Sequence, residues 1–532
     1  MQDSEKNIDV LIVGAGPSGL MMACQLAIHG IRFRIIDKRD GPSIYSGALI
    51  VHARSIEILD QMGIAGKVMQ ESIIADDLSI IFNGKKEAQI SLKNIGQNLT
   101  KFPNLYLIEQ TSTEQILIDF LTCKGYIVER NTELKSFSQD ENGVASILKL
   151  PDGKEESINT MYLIAADGGH STVRQKLNIS FVEKSHPVSL FIIDCKAEVN
   201  VPPREICFSF SNAGTFGIFP MKNARRRIDG VVPLKLEGNP KITFESIEKN
   251  FAERIFMKIR LYSHEWFSVS HSQQRYALSY QCKRCFLIGD AAHTFTPVGA
   301  QGMNTGLQDA YNLGWKIGFV INGRASNSLL STYSAERKTI AKKLVKSTGR
   351  LYNMLTNRSG FVTAFRLDIL PIILKWLLPL IQKKKIVRQF CFNAISEIGI
   401  SYRNGPLTNN ASLGNFPGNA PQPGDRLPYF VFREKDTEIS LHEKVSATAF
   451  TLFLFSKNFL PVEIIKVARK YKNILILETM PFSSTTKVAY DWFGNSDFGC
   501  FLVRPDMHIA YRSNIPEAEY FESYLQQYLN AN

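Results

Sequence analysis

Three glycines near the amino terminus have the spacing of a turn that binds a dinucleotide phosphate. Gly14, Gly16 and Gly19 follow an apolar run at residues 8–13. The first glycine allows a tight turn, the second lets the backbone approach a pyrophosphate, and the third lets a helix pack closely on a strand. Asp37 ends a second apolar run and can accept hydrogen bonds from ribose hydroxyls, whereas it would repel a 2′-phosphate. These residues predict a site for FAD or NAD, and not for NADP.

A second glycine-rich segment follows an apolar run at residues 286–288. An aspartate at the carboxyl end of a strand can hydrogen-bond a polyol chain, and glycines before a helix let backbone N–H groups reach a flat heterocycle with partial negative charge. The alternative is a capped turn without a ligand. Because two such sites far apart in sequence suit a long dinucleotide, the segment favours FAD. Its candidate residues are Gly289, Asp290, Pro297, Gly299, Gln301, Gly302, Met303 and Asn304.

The elements that must position these residues follow a strand–helix–strand pattern. An apolar helical run at residues 20–28 is ended by Gly30, and residues 31–36 return to the strand pattern. A glycine-rich turn inside such a complete unit is much more specific than the glycines alone. The sequence therefore predicts an α/β protein with a Rossmann-like nucleotide-binding domain.

Composition excludes several other kinds of protein. The chain has 532 residues, of which 44% are hydrophobic and 21% charged, so it is neither disordered nor collagen-like. Eight cysteines are too few for a disulfide framework and indicate a reducing compartment. The net charge of +12 is spread along the chain without interleaved aromatic residues, so we expect no nucleic-acid partner.

Targeting, membrane and metal signals are weak in this chain, and we expect a cytoplasmic protein without a transmembrane segment. The polar residues 1–9 do not have the pattern of a signal peptide. Residues 369–381 are apolar but too short to span a bilayer, and prolines and Lys375 interrupt them, so they predict a buried or interfacial helix. Cys282 and Cys285 form a single CxxC motif without a second pair, so we expect reduced structural cysteines and no metal site.

Three motifs occur in a characteristic order and spacing. They are the glycine turn at residues 14–19 with Asp37, the segment 166–174 that begins Ala-Asp-Gly-Gly-His, and the segment 289–313 that begins Gly-Asp-Ala-Ala-His. Together they resemble the class A flavoprotein monooxygenases, the group built like p-hydroxybenzoate hydroxylase and phenol hydroxylase. The resemblance covers about residues 6–345.

The resemblance implies a Rossmann-like FAD-binding domain, an inserted antiparallel-sheet substrate domain and a C-terminal thioredoxin-like domain. Short β-rich runs separated by turn residues agree with such a sheet. The tail has no CxxC motif, so we predict that it lacks dithiol chemistry and is structural or forms a homodimer. The predicted segments are 1–75, 105–180 and 275–345 for FAD binding, 76–104 and 181–274 for the substrate domain, 346–405 for a helical segment and 406–532 for the thioredoxin-like domain.

The resemblance also implies roles for residues at the phosphate side of the cofactor. The glycine turn and Asp37 would hold the ADP half of FAD. Arg54 matches an arginine that meets the pyrophosphate region, and Asp290 matches an acid near the pyrophosphate and the ribityl chain. Gly47 departs from the pattern, because many relatives carry Lys or Arg there, and this puts one contact to flavin or substrate in doubt.

At the flavin side, the resemblance implies that Gln110 contacts the ring and that the backbone of residues 299–304 flanks the isoalloxazine. Asp167, Gly168 and Arg174 match a motif that serves FAD and the reduced nicotinamide together. The sequence offers these aromatic and glycine residues as candidates for the wall of the substrate cavity, with ordinary core packing as an equal alternative: Phe208, Phe210, Phe216, Gly217 and Phe219.

The family mechanism has NAD(P)H reduce FAD, after which O₂ gives a flavin C-4a hydroperoxide whose distal oxygen goes to an electron-rich ring. We therefore predict a monooxygenase that hydroxylates a phenolic or polyketide-like aromatic substrate, with NADPH preferred over NADH by resemblance alone. The sequence identifies no residue that transfers the substrate proton. Three alternatives stay open: an antibiotic-inactivating monooxygenase acting on a tetracycline- or rifamycin-like compound, a membrane-associated quinone-ring hydroxylase, and a flavin-binding interaction protein without turnover.

Overall fold

The computed structural model describes residues 8–212, 214–239, 241–252, 259–297, 299–408, 411–434, 437–494 and 497–531. Its strands are β1 (Val10–Val13), β2 (Phe33–Ile36), β3 (Ile50–Val51), β4 (Ile73–Ile74), β5 (Asp77–Phe82), β6 (Lys85–Ser91), β7 (Tyr106–Leu107), β8 (Glu133–Gln139), β9 (Val144–Lys149), β10 (Glu155–Thr160), β11 (Tyr162–Ala165), β12 (Phe181–Val199), β13 (Glu205–Ser211), β14 (Gly214–Pro220), β15 (Arg225–Val231), β16 (Ile259–Ala277), β17 (Gln281–Cys282), β18 (Cys285–Leu287), β19 (His293–Thr294), β20 (Ser412–Leu413), β21 (Val431–Glu434), β22 (Thr437–Ser440), β23 (Phe450–Ser456), β24 (Leu475–Pro481), β25 (Phe498–Val503) and β26 (Ile509–Ser513).

The helices connect these strands and cover the sheets. They are α1 (Pro17–Ile28), α2 (Ala53–Gln61), α3 (Ala65–Glu71), α4 (Gln110–Cys123), α5 (Thr172–Lys176), α6 (Phe244–Ala252), α7 (Gln301–Ile321), α8 (Ser328–Thr356), α9 (Gly360–Ala364), α10 (Leu370–Lys383), α11 (Lys385–Ile395), α12 (Val462–Lys470), α13 (Lys487–Phe493) and α14 (Ala518–Gln526).

A five-stranded sheet carries the glycine turn. Its order is β17-β18-β11-β1-β2, and β1 is parallel to both of its neighbours. Val10, Leu11 and Ile12 of β1 are fully buried, as expected for a parallel strand covered on both faces. Helix α1 packs against β1, β2, α4 and α7. The strand, turn and helix predicted from the sequence are therefore all present.

An eight-stranded sheet faces the first one across a cavity. Its order is β19-β16-β12-β15-β14-β13-β5-β6, and only the β13–β5 pair is parallel. Side chains alternate between the two faces of each strand. Ile193 and Ile228 therefore join a core with Ile247 of α6, whereas Ile192 and Arg227 line the cavity. Strands β12 and β16 are longer than the short runs expected, because register shifts let them bend without ending.

A second five-stranded sheet forms the C-terminal unit, with the order β20-β26-β25-β23-β24. Strand β23 is parallel to β24 and antiparallel to β25. Leu452 belongs to a core with α12, α14 and Trp315 of α7, while Phe453 belongs to a core with α13 on the other face. Because Trp315 belongs to α7, the C-terminal unit shares apolar packing with the helix that follows the second glycine-rich segment.

A buried ionic cluster also connects the C-terminal unit to α7 and α8. Arg504 of the C-terminal unit forms an ion pair of 2.6 Å with Glu336 of α8, and Lys316 of α7 lies 2.8 Å from the same carboxylate. Asp506 is the second partner of Arg504. All four side chains are buried and have lost their contact with water. Each charge is therefore stabilised by the opposite charges in the cluster.

Several details differ from the sequence-based expectations. Helix α8 runs uninterrupted through residue 346, where we expected one domain to end, so that boundary does not fall at the end of an element. Strands β8, β9 and β10 form a separate three-stranded sheet within the segment assigned to FAD binding. The residues predicted to form a buried or interfacial helix, 369–381, lie in α10, except for Ile369, which ends the short π-helix before it. One side of α10 is exposed, so it is not a buried helix.

Two negative expectations concern metals and membranes. Cys282 and Cys285 face each other in the β17–β18 pair as free thiols. Within the described part of the chain, no cluster of three His, Cys, Asp or Glu side chains could hold a metal ion. Among the described helices, none is both long enough and apolar enough to cross a bilayer.

Candidate cofactor and substrate site

One continuous cavity of about 1030 Å³ lies between the five-stranded sheet that contains β1 and the eight-stranded sheet. Pockets for single small ligands usually have about 300–1,000 Å³, so this cavity has room for a large ligand or for two. Of the residues proposed from the sequence to hold the cofactor, it is lined by Gly14, Gly16, Asp37, Gln110, Asp167, Gly168, Asp290, Pro297, Gly299, Gln301, Gly302 and Met303. The predicted residues that are not at its wall are Gly19, Arg54, Arg174, Gly289 and Asn304.

The glycine turn at one end is built for close backbone approach. Gly14 has a φ of +101°, and an added Cβ would lie 2.7 Å from the carbonyl carbon of Ala166. Gly19 lies against the backbone of Gly14, so it serves helix packing and not ligand contact. An added Cβ at Gly16 would point into open space. Because Gly16 is the N-cap of α1 and makes no side-chain cap, the first N–H groups of this helix are available to an anion.

Asp37 lies beside this turn at the end of β2. Its carboxylate accepts hydrogen bonds from the backbone N–H of Ala15 at 2.8 Å and of Arg39 at 2.9 Å. Burial raises the pKa of Asp37, but the hydrogen bonds from Arg39 and Ala15 outweigh it and hold that pKa below its ordinary value. The carboxylate is therefore ionised near neutral pH. Arg39 also lines the cavity here, and the sequence analysis did not identify it.

The loop before α7 forms the middle of the cavity wall. Ala300 adopts a left-handed conformation at the N-cap of α7, and Gly299 has a φ of +87°. Asn304 holds this loop by donating to the carbonyl of Ala300 at 2.8 Å and by accepting from the N–H of His52 at 2.9 Å. Asn304 thus positions the loop and does not line the cavity. The positive end of the α7 dipole is directed at the cavity, where it can stabilise negative charge.

Gln110 also lines the cavity, at the start of α4. Its side-chain oxygen accepts from the N–H of Ala48 at 3.1 Å, and its amide nitrogen donates to Glu114 at 2.9 Å. A Cβ at Gly47 would lie 3.0 Å from this side-chain oxygen. The glycine at position 47, which departs from the family pattern, therefore allows the close approach of Gln110.

Asp290 and Asp167 supply two further carboxyl groups to the wall. Burial raises the pKa of Asp290, and the nearby His293 opposes this rise less strongly. Burial likewise raises the pKa of Asp167, although Ser171 hydrogen-bonds it. Asp290 is exposed and Asp167 half-buried at the cavity wall, so a ligand hydroxyl can reach both carboxyl groups.

Arg54 and Arg174, which the resemblance places beside the cofactor, do not line the cavity. Arg54 is buried on α2, where its guanidinium donates to the carbonyl of Asp506 at 2.7 Å and to Glu57 at 3.1 Å. Arg174 lies 3.7 Å above the ring of Phe181 and donates to a backbone carbonyl of the preceding turn. Both side chains thus pack between elements of the fold, and neither lines the cavity.

The sequence also did not indicate a buried network behind the wall, although three of its four residues lie in the third motif. Asp309 of α7 accepts from the N–H of Gly289 at 3.0 Å, from His293 at 2.6 Å and from Arg337 of α8 at 2.7 Å. Gly289 therefore anchors the Gly-Asp-Ala-Ala-His turn on α7 and does not line the cavity. His293, the last residue of this turn, has a hydrogen-bonding role in the network.

The eight-stranded sheet forms the far end of the cavity, which is largely apolar. The five residues proposed for this wall all line it: Phe208, Phe210, Phe216, Gly217 and Phe219. Two charged residues of β15, Arg227 and Asp229, lie among them, and no sequence motif indicated either one. Leu351, Tyr352 and Leu355 of α8 complete this end.

These residues fit the FAD molecule that the motifs imply. The helix N-terminus and Gly16 suit a pyrophosphate, Asp37 suits a ribose, and the loop before α7 suits a ring that carries negative charge. The apolar far end would remain for an aromatic substrate. The cavity thus brings together a dinucleotide cleft and an aromatic pocket without a wall between them.

Comparisons with known proteins agree with this fit. The family described as FAD binding domain matches residues 7–348. A 6-methylpretetramide 4-monooxygenase of Streptomyces rimosus is 30% identical over 416 residues, which cover 77% of this chain and 73% of that protein. A rifampicin monooxygenase of Rhodococcus hoagii is 32% identical over 360 residues, covering 66% of this chain and 72% of that protein.

The solved structure of an anhydrotetracycline hydroxylase from Streptomyces rimosus matches nearly the whole chain. Its TM-score is 0.78 at 26% identity, and the match covers 99% of this chain and 100% of that one. The cavity, the ordered motifs and these relatives lead to one assignment. The chain belongs to the FAD-binding-domain family of class A flavoprotein aromatic monooxygenases.

Proposed function

We propose that this protein is an FAD-dependent monooxygenase that hydroxylates a phenolic, polyketide-like aromatic compound with NAD(P)H and O₂. The observation that carries the proposal is the continuity of the cavity from the glycine turn to the apolar wall of the eight-stranded sheet. FAD, when bound, would supply the activation of O₂ and the transfer of one oxygen atom. The other oxygen atom would leave as water, with NAD(P)H supplying the two electrons.

The residues of the chain would bind, orient and shield the reactants. Gly16 and the N-terminus of α1 would hold the pyrophosphate, and Asp37 would hold the adenosine ribose. The loop at Gly299 and the N-terminus of α7 would stabilise negative charge on the flavin ring. Phe208 and Phe216 would exclude water around the reacting ring, which protects a reactive oxygen species from side reactions.

A ring system larger than phenol is the favoured substrate class. Two relatives are named as monooxygenases of 6-methylpretetramide and of rifampicin, compounds that are both larger than phenol. A cavity of about 1030 Å³ suits such a substrate beside a dinucleotide. We prefer NADPH over NADH as donor, and this preference rests only on resemblance to the family.

The same proposal extends to the domains. Residues 1–75, 105–180 and 275–345 would form the FAD-binding part, and 76–104 with 181–274 would form the substrate part. The C-terminal unit would be a thioredoxin-like domain, which the parallel β23–β24 pair followed by antiparallel β25 and β26 supports. Its role would be structural or dimer-forming and not redox, since its single cysteine, Cys500, is a buried free thiol.

Oxidation of NADPH and NADH, measured alone and with phenols, aromatic polyketides, tetracyclines and rifamycins, tests the proposal. We expect one class to stimulate oxidation and to gain the mass of one oxygen atom. Peroxide assayed in parallel separates hydroxylation from uncoupled oxidation. If FAD binds but no compound stimulates donor oxidation or gains oxygen, the catalytic proposal is contradicted and a binding role is favoured.

An antibiotic-inactivating role is the second candidate, because one relative is named a rifampicin monooxygenase. The two roles use the same chemistry and differ only in the substrate. Product mass after incubation with a rifamycin or a tetracycline, followed by a growth-inhibition assay of the product, distinguishes them. Loss of antibacterial potency in the oxygenated product would favour this candidate.

A further inference from the structure

Asp229 lies at the apolar end of the cavity and is not explained by cofactor binding. It is on β15, where Arg227 and Val231 share its face of the sheet and also line the cavity. On the neighbouring strand β14 it is paired with Gly217. A Cβ at Gly217 would lie 2.8 Å from Oδ1 of Asp229, so a glycine at this position leaves the space that the carboxyl group occupies.

Among the described residues, no cation forms an ion pair with the carboxyl group of Asp229. Arg227 lies on the same face, but its guanidinium forms two hydrogen bonds of 2.7 Å with Asp194 of β12. Among the described residues, no side chain donates a hydrogen bond to Asp229. Burial raises the pKa of Asp229 to about 7, with Arg227 lowering it and Asp194 raising it less strongly.

The surroundings of this carboxyl favour a particular ligand. Phe208, Phe216 and Phe219 line the same end of the cavity and provide faces for an aromatic ring. A carboxylate with no donor from the protein needs one from the ligand, because burying an unsatisfied charge is costly. A neutral phenolic hydroxyl supplies that donor, whereas an anionic carboxylate on the ligand would be repelled by Asp229 and Asp194.

We propose that Asp229 binds the hydroxyl group of the substrate ring and accepts its proton when the ring is hydroxylated, an inference that rests on the proposed function. The O–H bond of the phenol breaks, and its proton forms a new O–H bond on the Asp229 carboxylate. The electron pair of the broken bond stays on the phenol oxygen and increases the electron density of the ring carbons that receive oxygen. The proton then passes to water.

Asp229→Asn in the FAD-loaded enzyme tests this role, because the amide keeps the size of the side chain but cannot accept the proton. We expect the rate of product formation, with the best substrate of the panel above, to fall by about 10²-fold or more. In the unchanged enzyme the rate should rise with pH as Asp229 loses its proton near pH 7. The variant should lose that dependence. Asp152→Asn, on an exposed turn, is the matched control and should keep both rate and profile.

A substrate analogue in which the hydroxyl is O-methylated provides a second test, applied to the unchanged enzyme and to the variant. It lacks the proton, so the unchanged enzyme should slow with it, while Asp229→Asn should show little further loss. If product forms and Asp229→Asn keeps the rate and pH profile of the unchanged enzyme, the role of Asp229 is wrong although the function stands. If the unchanged enzyme forms no product from any compound, the proposed function itself fails.

A separate observation concerns an apolar stripe on the surface of α10. Large apolar side chains recur at the spacing of one helix face, and each is exposed, with Trp376 77% exposed. The opposite side of α10 packs inward, where Leu370 and Leu374 contact a core that contains Phe210 of the cavity wall. The exposed stripe consists of Ile369, Ile372, Ile373, Trp376 and Leu377, and α11 adds Ile386 and Phe390.

Basic residues lie among these apolar side chains. Lys375, Lys384 and Lys385 are exposed beside the stripe, where Asp368 is the exposed acid. Two copies of the chain joined symmetrically through this stripe would bring like charges together, which disfavours self-association. Apolar side chains with neighbouring lysines instead complement an anionic lipid surface. From this pattern we infer that α10 and α11 bind peripherally to anionic membranes.

Sedimentation of the FAD-loaded protein with lipid vesicles tests this inference. We expect binding to vesicles of phosphatidylcholine mixed with phosphatidylglycerol, weaker binding to phosphatidylcholine alone, and release by high salt. Trp376→Ser and Lys384→Glu should each lower the affinity by about tenfold, or about 1.4 kcal/mol, since the first removes an aromatic anchor and the second reverses a charge. Trp492→Ser, which changes another exposed tryptophan, should have no effect.

Two results would overturn the membrane inference. One is the absence of binding to both kinds of vesicle. The other is a dimer in light scattering that Trp376→Ser converts to a monomer, since this would identify a second copy of the chain as the occupant of the stripe.

Discussion

The three glycines of the turn at residues 14–19 have different structural roles, although they form one sequence motif. Gly16 leaves open space for a ligand, Gly14 lets the backbone pass close to Ala166, and Gly19 brings α1 onto the turn. A substitution at Gly14 therefore acts through the shape of the turn. A substitution at Gly16 acts on the space available to the cofactor.

Gly14→Ala is expected to lower the stability of the protein and to weaken FAD binding. The φ of +101° disfavours an L side chain, and the added Cβ would contact the backbone of Ala166. Together these effects should cost about 1–3 kcal/mol of unfolding free energy. They should raise the FAD dissociation constant by about tenfold or more, or about 1.4 kcal/mol. Chemical denaturation and fluorescence titration of the apoprotein with FAD measure the two quantities.

Gly30→Ala is the matched control for this substitution. Gly30 has a φ of +68°, but an added Cβ would meet nothing within 4 Å. The variant should therefore lose only about 1 kcal/mol of unfolding free energy, because alanine is strained in a left-handed conformation. It should keep its affinity for FAD. Equal effects of the two substitutions on FAD binding would show that the close approach at Gly14 is unimportant.

The sequence could predict some site residues and not others for a physical reason. Gly14 and Asp37 belong to one strand–helix–strand unit, so their neighbours in sequence decide their geometry. Arg54 bonds to Asp506, and Arg227 to Asp194, across distances in sequence that no local pattern covers. Asp229 is a single carboxyl on a strand, and only the packing of the whole sheet places it in the cavity.

At the scale of elements, α7 is the helix on which both halves of the site depend. Its N-terminus is directed at the cavity, Asp309 holds the Gly-Asp-Ala-Ala-His turn, and Trp315 packs in the C-terminal unit. Such a helix was predictable from its motif and its length. Its buried polar contacts were not, because Arg337 and Glu397 come from segments that follow α7 in the chain.

Glu397 gives a pH-dependent test of this helix. Its buried carboxyl accepts hydrogen bonds from Gln308 and Thr305 of α7. Burial raises the pKa of Glu397 to about 8 from an ordinary value of 4.5, with Arg337 opposing this less strongly. The folded protein therefore keeps a proton that the unfolded chain releases between these two pH values. The contribution of Glu397 to stability must then fall as the pH rises.

Glu397→Gln should remove this dependence on pH. Relative to the variant, the unchanged protein is expected to lose about 1.4 kcal/mol of unfolding free energy for each pH unit between these limits. Denaturation curves across that range measure the difference, and Glu519→Gln on the exposed side of α14 is the control. A difference between protein and variant that does not change with pH would show that Glu397 is ionised in the folded state.

At the scale of the whole molecule, the C-terminal unit is attached by buried charges as well as by apolar packing. Three of its five strands, β23, β24 and β25, were predictable from apolar runs at residues 450–455, 474–477 and 501–503. The attachment was not predictable, because Glu336 and Lys316 lie on helices that have no repeated polar pattern. Arg504 comes into contact with this pair only when the C-terminal sheet packs on α7 and α8.

This attachment predicts cooperative unfolding that depends on Arg504. Arg504→Met would leave Glu336 and Asp506 buried with Lys316 as the remaining cation of the cluster, and losing one member of a buried ionic cluster costs about 3–5 kcal/mol. Because the lost contacts join two parts of the molecule, scanning calorimetry should change from one transition to two, with the C-terminal unit melting first. Arg403→Met removes an ion pair with Asp425 whose arginine is half exposed, so it should cost less than about 1 kcal/mol and keep one transition. If Arg504→Met lowers the melting temperature but leaves a single transition, the apolar contacts of Trp315 are sufficient to couple the two parts, and the charges add stability without controlling cooperativity.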